Sequence, residues 1–367
     1  MKIALVHDDF TQFGGAENLF AEIAKIYPSA PIYASLVNWK KLPPSIDKKR
    51  VHTSFMQKIP FATKFYKALL PLYPLAFESF DFSAFDLVIS STTRFAKGII
   101  TGPKTIHICY VNSLPRFLHH LRHKKSYLPP LLEFVLKPFI GWLKRWDRVA
   151  ASRVDFYIAN SQNVAHQIEK VYGQKAQVVY PFADTDFFSP AKIHNWKLKS
   201  QNYYLVVSRL VRWKKIEIAA RAAENLDINL IIVGDGPHKN TLMNLSPRHV
   251  EFAGNISKER LRELYQNAKG LIVTQEEDFG IAVVEAQACG IPVIAYNAGG
   301  QKETVKNQIT GLFFESQTAE SLEDAIRAAS AVKWDLRQIR KNALKFSKST
   351  FSKSLKAAVN QYVRKQQ

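Results

Sequence analysis

The chain has 367 residues, 47% hydrophobic and 22% charged, with two cysteines and a formal net charge of +20. That length suits two domains of roughly 150–200 residues rather than one, and two cysteines exclude a disulfide scaffold. The charge excess attracts polyanions such as nucleic acid, anionic lipid or phosphorylated small molecules. Most of it falls in residues 40–150, which hold 19 Lys/Arg against 6 Asp/Glu.

Cys109 and Cys289 both lie in apolar surroundings and read as buried free thiols, which fits a reducing, cytoplasmic setting. Residues 1–9 are not read as a signal peptide, because the apolar run is short and Asp8 and Asp9 follow it. No stretch reaches the ~18–20 apolar residues that span a bilayer. The best one, 128–143, is interrupted by Glu133, Lys137 and three prolines. A membrane would be met from its surface.

In chain order, 3–7 is an apolar strand and 16–27 a helix. Further buried strands are read at 86–91, 105–111, 154–160 and 177–181. A second series begins at 203–208 and continues at 228–233, 250–253, 270–274 and 291–296, with helical segments between. Such alternation predicts parallel sheets covered by helices on both faces. The expected class is α/β, with two Rossmann-like doubly wound domains facing a central cleft. Residues 1–182 form the first domain and 202–350 the second, with 183–201 as linker and a terminal helix at 351–365 packing back on the first domain.

The chemistry-bearing motifs fall at strand ends, where open α/β sheets bind ligands. Phe13-Gly14-Gly15-Ala16-Glu17 follows the first strand; its glycines permit close approach, and the helix start offers N–H groups to an anion, or it is a plain turn. Arg209 and Lys214 leave the first strand of the second domain five residues apart, a fork and a point charge that suit a diphosphate. Gly234-Asp235-Gly236-Pro237 is a tight turn, and the structural reading of it is preferred. The most specific block runs from Glu277 to Glu285. Its carboxylates can accept hydrogen bonds from sugar and ribose hydroxyls, while Phe279, Gly280 and Ile281 present N–H groups at a helix start.

These residues, with Ala298-Gly299-Gly300, Glu303 and the run Asp184-Thr185-Asp186-Phe187-Phe188, resemble the retaining glycosyltransferases of family 4, which have the two-Rossmann GT-B fold. The likeness covers nearly the whole chain and is closest to bacterial enzymes that build O-antigen and capsular polysaccharides, often mannosyltransferases. It implies that Gly15, Arg209 and Lys214 hold the diphosphate of a nucleotide-sugar donor. It further implies that Glu285 holds the ribose and Glu277 the transferred sugar. Gly234, Phe279, Gly280 and Ile281 would complete the donor site. The acceptor would be a lipid-linked or glycan molecule at the inner face of the plasma membrane. One position departs from the family: relatives carry His after a Cys-Tyr-x run, and this chain has Asn112, which cannot titrate.

No metal is expected. Asp184 and Asp186 have the spacing of a cation pair but lie in the linker, and Arg209 and Lys214 can neutralise a leaving diphosphate. Nucleic acid is not expected as a partner, since no signature beyond charge accompanies it. An anionic membrane surface is expected for residues 117–146 with the adjoining Arg116, a stretch that mixes Arg122, Lys124, Lys125, Lys137, Lys144 and Arg145 with Phe117, Tyr127, Phe134, Phe139, Trp142 and Trp146. The alternative is a core helix with a solvated basic face. Two other readings keep the fold: an epimerase or phosphorylase, whose residues are not evident, and a catalytically silent nucleotide-sugar binder, which Asn112 favours.

Overall fold

The computed structural model describes residues 1–119, 130–191, 202–245 and 248–366. The chain divides into two compact units, one made of Met1–Tyr180 with Ser352–Gln367 and the other of Pro181–Phe351.

The first unit is built on seven strands: β1 (Ile3–His7), β2 (Ile32–Ala34), β3 (Val51–Thr53), β4 (Leu87–Thr92), β5 (Ile106–Val111), β6 (Phe156–Ala159) and β7 (Ala176–Val178). Their order is β3-β2-β1-β4-β5-β6-β7, and every pairing is parallel. β4 and β5 are buried at every position, as expected of central strands covered on both faces. Helices α1 (Gly15–Ile26), α2 (Tyr73–Glu78), α3 (Arg116–His119), α4 (Pro130–Ser152) and α5 (Gln162–Tyr172) supply the layers. The ends of α5 are fixed by local chemistry. The Ser161 hydroxyl accepts from the Val164 N–H, and Gly173 closes the helix in the left-handed conformation.

The second unit has six parallel strands: β8 (Tyr203–Val207), β9 (Asn229–Val233), β10 (Val250–Gly254), β11 (Gly270–Val273), β12 (Val293–Tyr296) and β13 (Gly311–Phe314). The order is β10-β9-β8-β11-β12-β13. Around them lie α6 (Ile216–Asn225), α7 (Lys239–Leu245), α8 (Lys258–Asn267), α9 (Ile281–Ala288), α10 (Gln301–Thr304), α11 (Ala319–Ala331) and α12 (Leu336–Ala343). One core gathers Val206, Leu230, Ile232, Ile272 and Ile294 from the sheet with Ile216, Ala219 and Ala223 of α6. The last helix, α13 (Lys348–Gln366), leads into the first unit, where the Tyr362 ring stacks on Phe156 at 4.3 Å.

The expected doubly wound α/β class is the one observed. β2, β3 and β13, of three or four residues, are strands additional to those expected. Residues 183–190, read as linker, are packed in the second unit. Ala183, Thr185 and Phe188 are buried there, and Asp184 pairs with Lys258 at 2.7 Å and Lys348 at 2.8 Å. Residues 192–201 lie outside the described residues. Among the described residues no helix is long and apolar enough to cross a membrane.

Candidate functional site

Each sheet reverses its winding once, between β1 and β4 and between β8 and β11. Loops leave such a switch point in opposite directions and open a crevice at the carboxyl ends. Arg209, Lys214, Glu277 and the start of α9 follow β8 and β11, the strands of the second switch point, while Gly234 follows β9.

β8 ends at Val207 and continues into the loop that carries Arg209 and Lys214. The loop is held from below by the turn after β9. Gly234 has φ 127°, and a Cβ there would lie 2.0 Å from the Ser208 carbonyl oxygen, so only glycine fits. Gly234 is thus explained by packing. Arg209 is exposed, and among the described residues no hydrogen bond or ion pair engages its guanidinium. Lys214 is different. It is 7% exposed, its Nζ pairs with Glu277 Oε1, and it stands 4.2 Å from the centroid of the Trp213 ring. The Lys214 carbonyl accepts from the buried Thr274 hydroxyl at 2.7 Å, which ties this loop to the end of β11. The following residue, Lys215, is held left-handed at φ 51°, a strained state for a side-chain-bearing residue.

Glu277 is positioned by two glutamines. Gln275 Nε2 donates to Glu277 Oε1 at 2.5 Å, and Gln301 Oε1 accepts from the Glu277 N–H at 2.9 Å. Gln301 is 0% exposed and also donates to the carbonyls of Gln275 (2.7 Å) and Tyr296 (3.0 Å). The Glu277 carbonyl accepts from the Gly300 N–H at 2.8 Å, so the Gly299-Gly300 turn after β12 braces the loop after β11.

Helix α9 begins at Ile281, behind Gly280 at φ 93°, again a glycine conformation. Val283 N–H already bonds the Gly280 carbonyl, which leaves Ile281 and Ala282 at the open start of the helix. Phe279 is buried and packs edge-on to Phe346. One turn on, the half-buried Glu285 accepts from the Tyr265 hydroxyl at 3.3 Å. Burial pushes its carboxyl up to about 7, against partial relief from that hydroxyl and from Lys258.

In the first unit, Gly15 is the first residue of α1 and Gly14 its N-cap. The helix start also holds the buried Glu17, whose carboxyl is raised by burial and partly offset by His7 and by the N–H groups of Glu17 and Gly14. Asn112 lies at the end of β5. Its Nδ2 donates to Ser91 Oγ at 3.0 Å and to the Thr92 carbonyl at 3.4 Å, and its own carbonyl accepts from Asn160 at 2.7 Å. His107 is a core residue on Ser90, pushed down to about 3 by burial and by Arg153.

Sequence reasoning missed the acids of this edge. Asp8 is buried and accepts from the backbone N–H groups of Thr93 (2.5 Å), Arg94 (3.0 Å), Phe95 (2.8 Å) and Ala96 (2.7 Å), and from both threonine hydroxyls at 92 and 93. Asp9 pairs with Arg94 at 2.6 Å. Burial raises the Asp8 carboxyl, but Arg94, His7 and the backbone donors outweigh it and hold it below the usual carboxylate value. The available signal was two acids directly after an apolar strand.

Of the basic aromatic stretch, Arg122, Lys124, Lys125 and Tyr127 lie outside the described residues, as do the side chains of Phe134 and Lys137. Phe139 and Trp146 pack against the core of the first unit, and the Trp146 indole donates to Glu78 at 2.8 Å. Phe117 and Trp142 are exposed. Among the described residues no cluster of three or more His, Cys, Asp or Glu is arranged to hold a metal ion.

Residues 190–346, which carry Arg209 through Glu285, match the sequence family described as glycosyl transferases group 1. The chain is 30% identical over 181 residues to the GDP-mannose-dependent alpha-(1-6)-phosphatidylinositol monomannoside mannosyltransferase of Mycobacterium tuberculosis, covering 42% of this chain and 47% of that one. It is 29% identical over 202 residues to the D-inositol 3-phosphate glycosyltransferase of Mycobacteroides abscessus, covering 49% of this chain and 45% of the relative. The chain thus spans about half the length of the curated relatives it matches. Among solved structures, sucrose-phosphate synthase from Thermosynechococcus elongatus superposes with TM-score 0.77 at 16% identity, covering 99% of this chain and 100% of that one. HepE of Anabaena, solved with UDP and glucose, gives TM-score 0.69 at 21% identity over 98% of this chain and 99% of its own. These likenesses establish the fold as the GT-B type.

Proposed function

We propose that this chain is a glycosyltransferase that moves a sugar from a nucleoside diphosphate donor to a hydroxyl acceptor. One observation carries the reading: a buried lysine, Lys214, paired with Glu277 at the switch point of the second sheet, inside the segment that matches the family.

Breaking the anomeric C–O bond puts negative charge on the departing diphosphate and positive charge on the sugar. Lys214, the exposed Arg209 and the open start of α9 supply stabilisation for the first. Fixed donors of this kind are typically the largest catalytic term, about 3–4 kcal/mol for one contact. Glu277, held by Gln275 and Gln301, accepts from hydroxyls of the transferred sugar, and Glu285 from the ribose. Retention follows if the acceptor oxygen attacks from the face the diphosphate leaves and gives its proton to the departing phosphate oxygen. No metal is required in this scheme, because cationic side chains neutralise the leaving group.

GDP-mannose is the favoured donor, on the strength of the mannosyltransferase relative. A lipid-linked or glycan acceptor at the cytoplasmic face of a membrane is the favoured acceptor class. The silent-binder reading has one observation in its favour: the Asn112 amide is engaged on Ser91 and Thr92 and cannot titrate. Purified protein offered GDP- and UDP-sugars with prenyl-phosphate saccharides distinguishes the two. Acceptor-dependent nucleotide release, insensitive to EDTA, is expected. Donor binding without turnover supports the silent reading, and no binding of any nucleotide sugar overturns both.

A further inference from the structure

We infer that a cavity between α6 and the start of α11 binds a small organic cation carrying two or more ammonium groups, and that its occupation tightens the donor site. The cavity has a volume of about 500 Å³ and lies wholly within the second unit. Its walls include Glu217, Arg221 and Glu224 of α6, with Gln317, Thr318 and Glu320 around the start of α11. It shares no lining residue with the donor site. Glu217, Arg221 and Glu224 stand at i, i+4 and i+7, so the helical period brings all three to one face.

The charge in the cavity is not balanced. Glu320 is served: its own N–H, the Thr318 hydroxyl and the charge of Arg221 hold its carboxyl below the usual value. That uses the one cation of the lining. Glu217 Oε2 is buried, and among the described residues nothing donates to it. An orphaned carboxylate oxygen costs stability until a ligand or water supplies a donor. The exposed Glu224 carboxylate likewise meets no hydrogen bond or ion pair among the described residues. Two turns of helix set the two acids ~10 Å apart along α6, too far for one metal ion to bridge. A linear polyamine has the matching chemistry. One ammonium donates to Glu217, a second meets Glu224, and the aliphatic chain lies along Ile218 and Ala319, which line the cavity and are buried. The chain as a whole, at +20, repels a polycation, so an association with one is local.

Gln317 connects the cavity to the donor loop. Its Oε1 accepts from Lys215 Nζ, and its Nε2 donates to the Thr274 carbonyl at 2.8 Å. Lys215 is the left-handed N-cap of α6, one residue beyond Lys214, and Glu217 lies in the first turn of that helix. The Thr274 hydroxyl in turn donates to the Lys214 carbonyl. A ligand seated on Glu217 and against Gln317 therefore fixes the contacts that brace Lys214. Fixing them before the donor arrives removes an ordering cost from donor binding. The coupling rests on the proposed donor site; occupancy of the cavity does not.

The test is calorimetric titration of spermidine into the full chain, with magnesium chloride as the simple-cation control, then of the nucleotide sugar with and without spermidine. One saturable spermidine site is expected, without comparable uptake of Mg²⁺. Glu217→Gln/Glu224→Gln should weaken it by about 10-fold, the loss of one charge-assisted hydrogen bond. That variant should not lower the Tm or the donor affinity, since neither carboxylate has a partner in the fold. Saturating spermidine should tighten donor binding about 5-fold in wild type, and Gln317→Leu should lose that gain while still binding spermidine. Absence of a saturable site in wild type, or undiminished binding by Glu217→Gln/Glu224→Gln, overturns the assignment of the cavity. Unchanged donor affinity at saturating spermidine overturns the coupling. A wild type that binds spermidine but no nucleotide sugar supports the cavity and counts against the donor reading.

Discussion

The carboxyl edges of the two sheets are both charged, and they use charge in opposite ways. In the first unit Asp8 is surrounded by backbone and hydroxyl donors, and Asp9 is neutralised by Arg94. These charges are committed to holding the turn after β4. In the second unit Lys214 and Glu277 neutralise each other at the mouth of a loop, while Arg209 stands exposed. In the proposed reading, a diphosphate replaces Glu277 on Lys214 and releases the carboxylate for sugar hydroxyls. An anion arriving at Asp8 gains nothing. The partners of Asp8 are mostly fixed backbone groups, whereas the partner of Lys214 is a side chain that a ligand can displace.

The largest effect should come from Lys214→Ala. Loss of its contact to the departing phosphate should lower kcat/KM by about 10²–10³, and the unpaired Glu277 should also lower the Tm. Arg209→Ala sharpens the contrast: donor affinity and turnover should fall without a change in Tm, because the side chain is exposed and no hydrogen bond or ion pair among the described residues engages its guanidinium. Equal Tm losses in the two would remove the distinction between paired and free cation. Steady-state kinetics and thermal melts read both.

Asp8→Asn should act on the other edge. Replacing a carboxylate that takes backbone donors should destabilise the fold by about 3 kcal/mol, with donor affinity unchanged in the folded fraction. Since the Asp8 carboxyl is held below 3.8 in the fold, its contribution is present above that value and is lost as pH falls through the lower folded value. A denaturant melt at two pH values checks this; an intact Tm with lost donor binding would reverse the assignment of the two edges.

Glu285 gives a smaller, pH-resolved effect. Its folded value near 7 is above the usual 4.5, so the protonated form favours folding. That stability is full below about 4.5 and is lost as pH rises through 7. Ribose hydroxyls favour the ionised form, so nucleotide affinity should rise with pH through about 7 and flatten in Glu285→Gln. The smallest effect is expected for Asn112→His, which should preserve the fold and alter turnover or donor preference. No change in either would place Asn112 outside the reacting centre.

Much of this was legible from the chain. Alternating apolar runs gave ten of the strands because each is long or apolar enough to stand out. β2, β3 and β13 were not read, and their places in the sheets rest on long-range pairing. Arg209 and Lys214 were legible from their spacing after β8, and Glu277 and Glu285 from theirs after β11. Gln275 and Gln301 were not, as nothing local says that a glutamine 24 residues beyond Glu277 will accept its N–H. The Asp8 cage depends on contacts 84 to 88 residues apart. The aromatics of 117–146 were read by composition, which cannot tell Trp146 on the core from Trp142 in water.

The most direct measurement is calorimetric titration of GDP-mannose and UDP-glucose into wild type, Lys214→Ala and Asp8→Asn, with nucleotide release followed in the same samples after acceptor is added. Wild type should bind one of the donors and turn it over. Lys214→Ala should lose both binding and release, and folded Asp8→Asn should keep binding. Undiminished donor binding by Lys214→Ala, or a wild type that binds neither nucleotide sugar, would contradict a donor site built on the Lys214–Glu277 pair.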